Sequence, residues 1–144
     1  MEFLSHKVYQ QSGSWYVLDE DFPWDIRQLK LDVFALVGMR TTPVFFCDTC
    51  DVNQILAYFG EEEEEFLYPI NGFYHREKQL VFICAWESYE QVLETLLHEL
   101  RHDMQYENEQ TRPLFYHDSQ VYEKKWIEMD ARAFAEEKMR QYRK

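Results

Sequence analysis

The chain has 144 residues, a net charge of −12 and a composition that is 46% hydrophobic and 17% aromatic. That length and apolar content suit one folded domain, residues 1–144, and exclude a disordered chain. The charge and the lack of a basic stripe exclude nucleic acid as a partner. No apolar run approaches the roughly 18–20 residues that cross a bilayer, so no membrane association is expected.

Met1–Gln10 has no basic segment followed by an apolar core, which predicts a cytoplasmic protein. Three cysteines, Cys47, Cys50 and Cys84, are an odd count and in that setting read as thiols. Oligomeric state is not readable from the sequence.

In chain order, Tyr9–Asp19 reads as two short strands around Ser12-Gly13-Ser14. Ile26, Leu29, Val33, Leu36 and Val37 follow at helical spacing and end on Gly38, a residue suited to a helix C-terminus. Pro43–Cys47 is a short run of strand formers. Asp48 or Asp51 then caps a helix with Val52, Ile55, Leu56 and Phe59 on one face. Glu61–Glu65 is a like-charge run that reads as a solvated loop.

Ile70–Tyr74 and Leu80–Cys84 flank a polar segment and predict a hairpin or a strand pair. An extended peptide is expected to pair with the sheet near Leu80–Cys84. Ser88, with Gln91 three residues on, forms a capping box that opens a helix with Leu93, Leu96, Leu97, Leu100 and Met104 on its buried stripe. After a loop containing Pro113, Asp118 or Ser119 caps a last helix with Ile127, Ala131, Phe134 and Ala135 on one face.

The chemistry concentrates in the Ser88 helix, where His98-Glu99-Leu100-Arg101-His102 fits H-E-x-x-H. Histidines four apart lie one turn apart on one face, so two ring nitrogens can reach one Zn2+ ion. Glu99 is the general-base candidate beside them. A catalytic zinc site needs a third protein ligand, and the last helix offers Glu128 and Asp130. Two residues apart on a regular helix, they cannot both face the ion. Asp130 sits between Ile127 and Phe134 at the edge of the buried face, where a carboxylate needs a partner to offset its desolvation. The expectation is therefore Asp130 as ligand and Glu128 as alternative or as support for a ligand histidine. Tyr116, His117 and Tyr122 are candidates for stabilising an oxyanion.

Thr95–His102 followed by Glu128–Ala135 resembles the zincin metallopeptidases, in particular the small ImmA/IrrE-like domains and zincin-like proteins of Bacillus and phage. The likeness covers about residues 70–139 and rests on the H-E-x-x-H helix with the pairs Asp130-Ala131 and Phe134-Ala135. It implies a minimal zincin-like α+β fold, a small mixed sheet with an active-site helix and a C-terminal ligand-bearing helix. It also implies a sheet strand starting near Gly72-Phe73-Tyr74, a peptide or protein substrate, and an acid before alanine as third ligand. Arg101 and Asp103 depart from the uncharged residues of the extended signature, as does aspartate in place of glutamate.

Two rival readings use other features. Cys47-Asp48-Thr49-Cys50 is a C-x-x-C between a strand and a helix, as in thiol–disulfide redox proteins, although Asp48 and Asp51 would disfavour a thiolate. A metal-binding interaction module without turnover would keep the ligands but would not need Glu99.

Overall fold

A computed structural model describes residues 7–60, 71–116 and 121–144. Ten elements follow one another. They are strands β1 (Gln10–Ser12) and β2 (Trp15–Val17), helix α1 (Ile26–Val37), strand β3 (Val44–Phe46), helix α2 (Thr49–Tyr58), strands β4 (Gly72–His75) and β5 (Leu80–Ile83), helix α3 (Tyr89–Glu107), a 3-10 turn over Arg112–Tyr116, and helix α4 (Val121–Tyr142). The fold is α+β, built on one mixed sheet of order β1-β2-β3-β5-β4.

The helices begin and end where the sequence supplies caps. Asp25 accepts from the Arg27 amide at the start of α1, and the Gly38 amide returns to Phe34 O at its end. Asp48, rather than Asp51, caps α2 by accepting from the Asp51 amide at 2.8 Å. Ser88 Oγ accepts from the Gln91 amide at 3.1 Å, and Gln91 Oε1 accepts from Glu87 N at 3.0 Å. The capping box is thus closed one residue early, with two donors at the helix start satisfied. Asp118 and Ser119, the expected caps of α4, lie outside the described residues, as does the glutamate run.

Strand alternation sorts the side chains into two cores. Trp15, Val17, Val44, Phe46, Tyr74, Val81 and Ile83 pack with residues of α1, α3 and α4. Phe45, Leu80 and Phe82 point the other way and pack with Val52, Ile55 and Leu56 of α2. The leucine stripe of α3 is buried at Leu93, Leu96, Leu97 and Leu100. Each such side chain contributes about 1.5–3 kcal/mol by leaving water, which seats α3 firmly on the sheet.

β5 offers no free edge for the extended peptide expected near Leu80–Cys84. It pairs in parallel with β3 and antiparallel with β4, so both of its edges are occupied and all four residues are buried. The run Leu-Val-Phe-Ile is apolar on both faces because both faces are covered. On this side of the sheet the outer strand is β4, whose far side has no neighbouring strand among the described residues.

Candidate metal centre

His98 and His102 project from adjacent turns of α3, with ring centroids 4.9 Å apart and planes nearly perpendicular. Opposite them α4 supplies Glu128. His98 Nε2 lies 3.1 Å from Glu128 Oε2, and His102 Nε2 lies 3.0 Å from Glu128 Oε1, so one carboxylate spans both rings. The three ligand atoms are within 4.8 Å of one another. Tetrahedral donors about 2.05 Å from a zinc ion stand about 3.3 Å apart, so these three side chains are close enough to converge on one ion with small side-chain adjustments. Two imidazoles and a carboxylate are also a donor set that suits zinc.

The sequence places Glu128 beside the small residues Ala131 and Ala135, both buried. Three and seven residues on, they share its face of α4 and let the two helix backbones come close enough for a glutamate to reach α3. Histidine neighbours hold the Glu128 carboxyl well below the usual range, the hydrogen bond from His102 foremost and that from His98 next.

Asp130, the expected ligand, is engaged elsewhere. It accepts from Arg101 Nε at 2.8 Å, from a terminal nitrogen of Arg101 at 3.3 Å, and from Gln105 Nε2 at 2.8 Å. Burial works to raise its pKa, but the bonds from Arg101 and Gln105 prevail and lower it. A carboxylate at this core edge does need a partner, and Arg101, stacked 4.5 Å over the Phe134 ring, is that partner.

Gln105, which sequence reasoning missed, fixes the orientation of His102. Its amide nitrogen donates to Ile127 O at 3.0 Å and to Asp130, leaving its oxygen facing His102 Nδ1 at 2.9 Å. A carbonyl oxygen can only accept, so Nδ1 carries a proton, and Nε2, the nitrogen bonded to Glu128 here, is the one left for a metal to take. The signal was the i,i+3 spacing from His102 to Gln105. Burial disfavours the charged ring, yet Glu128, Glu99 and Gln105 together raise the His102 pKa.

Glu99 is buried, and burial raises its pKa against the opposing influence of His102 and His98. With Thr95, it approaches β4. A Cβ at Gly72 would come within 2.7 Å of Thr95 Cγ2 and 3.2 Å of Glu99 Oε2, so glycine lets the outer strand lie against α3 at the general-base position. Two clefts meet at Gly72, His98 and Glu99. One, of about 480 Å³, is also lined by Phe73, Arg76, His102, Phe115 and Glu128. The other, of about 580 Å³, continues past Asn71, Glu94, Arg132 and Glu136. Both are in the range of ligand sites, and together they form a groove along β4.

A family model described as "Protein of unknown function (DUF3920)" matches residues 17–144. The chain belongs to the DUF3920 family. No curated protein and no solved structure matches it. The DUF3920 match takes in α3, α4 and β4 whole, so every residue of the centre falls within it.

Tyr116 turns its hydroxyl to Tyr106 at 2.6 Å and to Glu77 at 3.3 Å, and does not line either cleft. The hydrogen bond with Tyr106 leads the effects that push its pKa up to about 12. Its neighbour Phe115 instead packs against the His102 ring, 6.3 Å between centroids. His117 and the side chain of Tyr122 lie outside the described residues. Arg76, which no sequence signal marked, is among the described residues the one lysine or arginine lining the cleft that holds His102 and Glu128. In the C-x-x-C, Cys47 is buried at the end of β3 while Cys50 is exposed on α2.

Proposed function

We propose that this chain is a zinc-dependent peptidase whose metal is held by His98, His102 and Glu128. The observation that carries the reading is the single Glu128 carboxylate lying 3.0 and 3.1 Å from the two Nε2 atoms of the H-E-x-x-H helix, with Glu99 beside them. Three protein ligands at the meeting point of two open clefts are what a catalytic site requires, since a structural zinc is usually closed by four. A zinc ion there supplies Lewis acidity toward a carbonyl oxygen and acidity to water.

The residues do the rest. Glu99, its basicity raised by burial, takes a proton from the attacking water and gives it to the leaving amine. Gln105 holds His102 in the tautomer that leaves Nε2 available. An extended peptide pairs with the outer edge of β4, so that its backbone passes Gly72 and the general base. Arg76 lines the cleft on the histidine side, its guanidinium held by Phe115 O and Glu77, and supplies positive charge on the side of the substrate where negative charge builds.

Metal content of the purified protein, measured by elemental mass spectrometry, tests the assignment. About one zinc per chain is expected from a three-ligand site. It should be lost in His98→Ala, His102→Ala and Glu128→Ala, and kept in Asp130→Ala and Glu99→Gln. Peptide-library cleavage that disappears in Glu99→Gln with metal retained would then establish turnover. Native protein that takes up no added zinc would sink the reading.

A further inference from the structure

Phe46 pairs with Ile83 in the parallel β3–β5 ladder, and the ladder runs one step further, where the Cys47 amide donates to Ile83 O at 3.1 Å. Cys47 and Cys84 are therefore the next residues on neighbouring strands. Strands lie about 4.7–4.9 Å apart, within the roughly 4.4–6.8 Å between Cα atoms that a disulfide spans. Alternation puts both side chains on one face, because Phe46 and Ile83 before them point to the opposite core. Cys47 belongs to the cluster under α2, and Cys84 packs against it. The Cys84 amide is tied in turn to Asn71 O at 2.8 Å, just ahead of β4.

The ladder register sets the two thiols side by side. A side-chain hydrogen bond between them is the foremost reason the Cys47 thiol is held well above its ordinary pKa, with burial next. Their accessibilities differ: Cys47 is buried and Cys84 is partly exposed. Cys50, the other half of the C-x-x-C, is exposed and stands outside this pair.

We propose that Cys47 and Cys84 are a reversible dithiol–disulfide site that is oxidised by low-molecular-weight disulfides of the glutathione type. Cys84, the reachable thiol, loses its proton and attacks the small disulfide; one thiolate leaves, and Cys84 carries a mixed disulfide. Cys47 then loses its proton and attacks the Cys84 sulfur, expelling the second thiolate. Two protein thiols are oxidised and one small disulfide is reduced to two thiols. The product ties the end of β3 to the end of β5, and so anchors the hairpin that presents β4 to the groove.

The test equilibrates the full chain, folded, with glutathione buffers of increasing oxidised fraction, quenches in acid, unfolds, blocks remaining thiols with a maleimide and maps peptides. A linked peptide joining Cys47 to Cys84 should build up, while Cys50 is recovered blocked or as a glutathione adduct. Cys50→Ser should leave the link intact. Cys47→Ser should stop at the Cys84 adduct, and circular dichroism of that variant checks that it folds. Recovery of both Cys47 and Cys84 as blocked thiols from oxidised native protein, or a link from either to Cys50, would overturn the proposal. Mapping the native chain decides the matter even if the Cys47→Ser variant misfolds.

Discussion

Replacing Asp103 by alanine should be among the most damaging single changes outside the apolar core. Asp103 is 1% exposed and collects donors from three segments. Arg40 donates at 2.8 Å, the Tyr74 hydroxyl at 2.7 Å, Gln79 at 3.4 Å, and the Thr42 hydroxyl makes a further, short contact. In Asp103→Ala, Arg40 keeps its second partner, Glu107. The Thr42 and Tyr74 hydroxyls, both in buried residues, lose their acceptor. A buried donor left unsatisfied costs about 1–3 kcal/mol, and breaking a buried ion pair about 3–5 kcal/mol. The two routes agree on about 4 kcal/mol, a large part of the roughly 5–15 kcal/mol that holds a domain together. At about 3 °C per kcal/mol for a chain of this size, Tm should fall by about 12 °C. Urea unfolding followed by tryptophan fluorescence reads the change directly. The double variant Tyr74→Phe with Asp103→Ala should recover about 1–2 kcal/mol of the loss, since it removes the stranded hydroxyl. A single variant within about 1 kcal/mol of the native chain, or strict additivity of the two changes, would refute this account of how β4 is fastened to α3.

Under the proposed reading, Gln105→Leu should keep the three ligands but weaken zinc retention by about 10–100-fold in a chelator competition, with Gln105→Glu restoring much of it. A Gln105→Leu affinity equal to the native one would show that His102 needs no such support. Gly72→Ala inserts a methyl 2.7 Å from Thr95 Cγ2. It should cost about 1–3 kcal/mol in urea unfolding and, under the proposed reading, lower peptidase turnover while the metal stays bound; unchanged stability would mean that β4 gives way freely. Burial first, then hydrogen bonds to Asp103 and Asp32, raise the pKa values of Tyr74 and Tyr89 above the ordinary tyrosine range. Their contribution is complete below the unfolded value of about 10 and is lost as pH rises through the folded values, because the unfolded chain then holds fewer protons. Urea midpoints should therefore fall above about pH 10, less steeply in Tyr89→Phe, and a flat profile would contradict the sign.

Local signals located most of the elements. The Ser12-Gly13-Ser14 turn, the Asp48 cap and the Ser88 capping box depend on neighbours in sequence, and each stands where its residues predict a boundary. The pair His98 and His102 was legible for the same reason, since helical spacing alone brings two rings together. Choosing between Glu128 and Asp130 was not, because it turns on which stripe of α4 meets α3. Ala131 and Ala135 decide that by permitting close approach, and Arg101 takes Asp130 out of the site. Likewise nothing near Leu80–Ile83 reveals that β3, over thirty residues earlier in the chain, occupies the free edge of β5.

The amide of Gln105 has an electrostatic consequence. A carboxylate in its place would draw charge onto His102, whereas a neutral amide orients the ring and leaves it an uncharged ligand. The donor set of His98, His102 and Glu128 then carries a single negative charge. Under the proposed reading, a dication held there keeps a net positive charge on a chain whose overall charge is −12. The groove would thus contain one electrophilic point in an otherwise anionic field, drawing a substrate's oxygen to the spot that Glu99 serves.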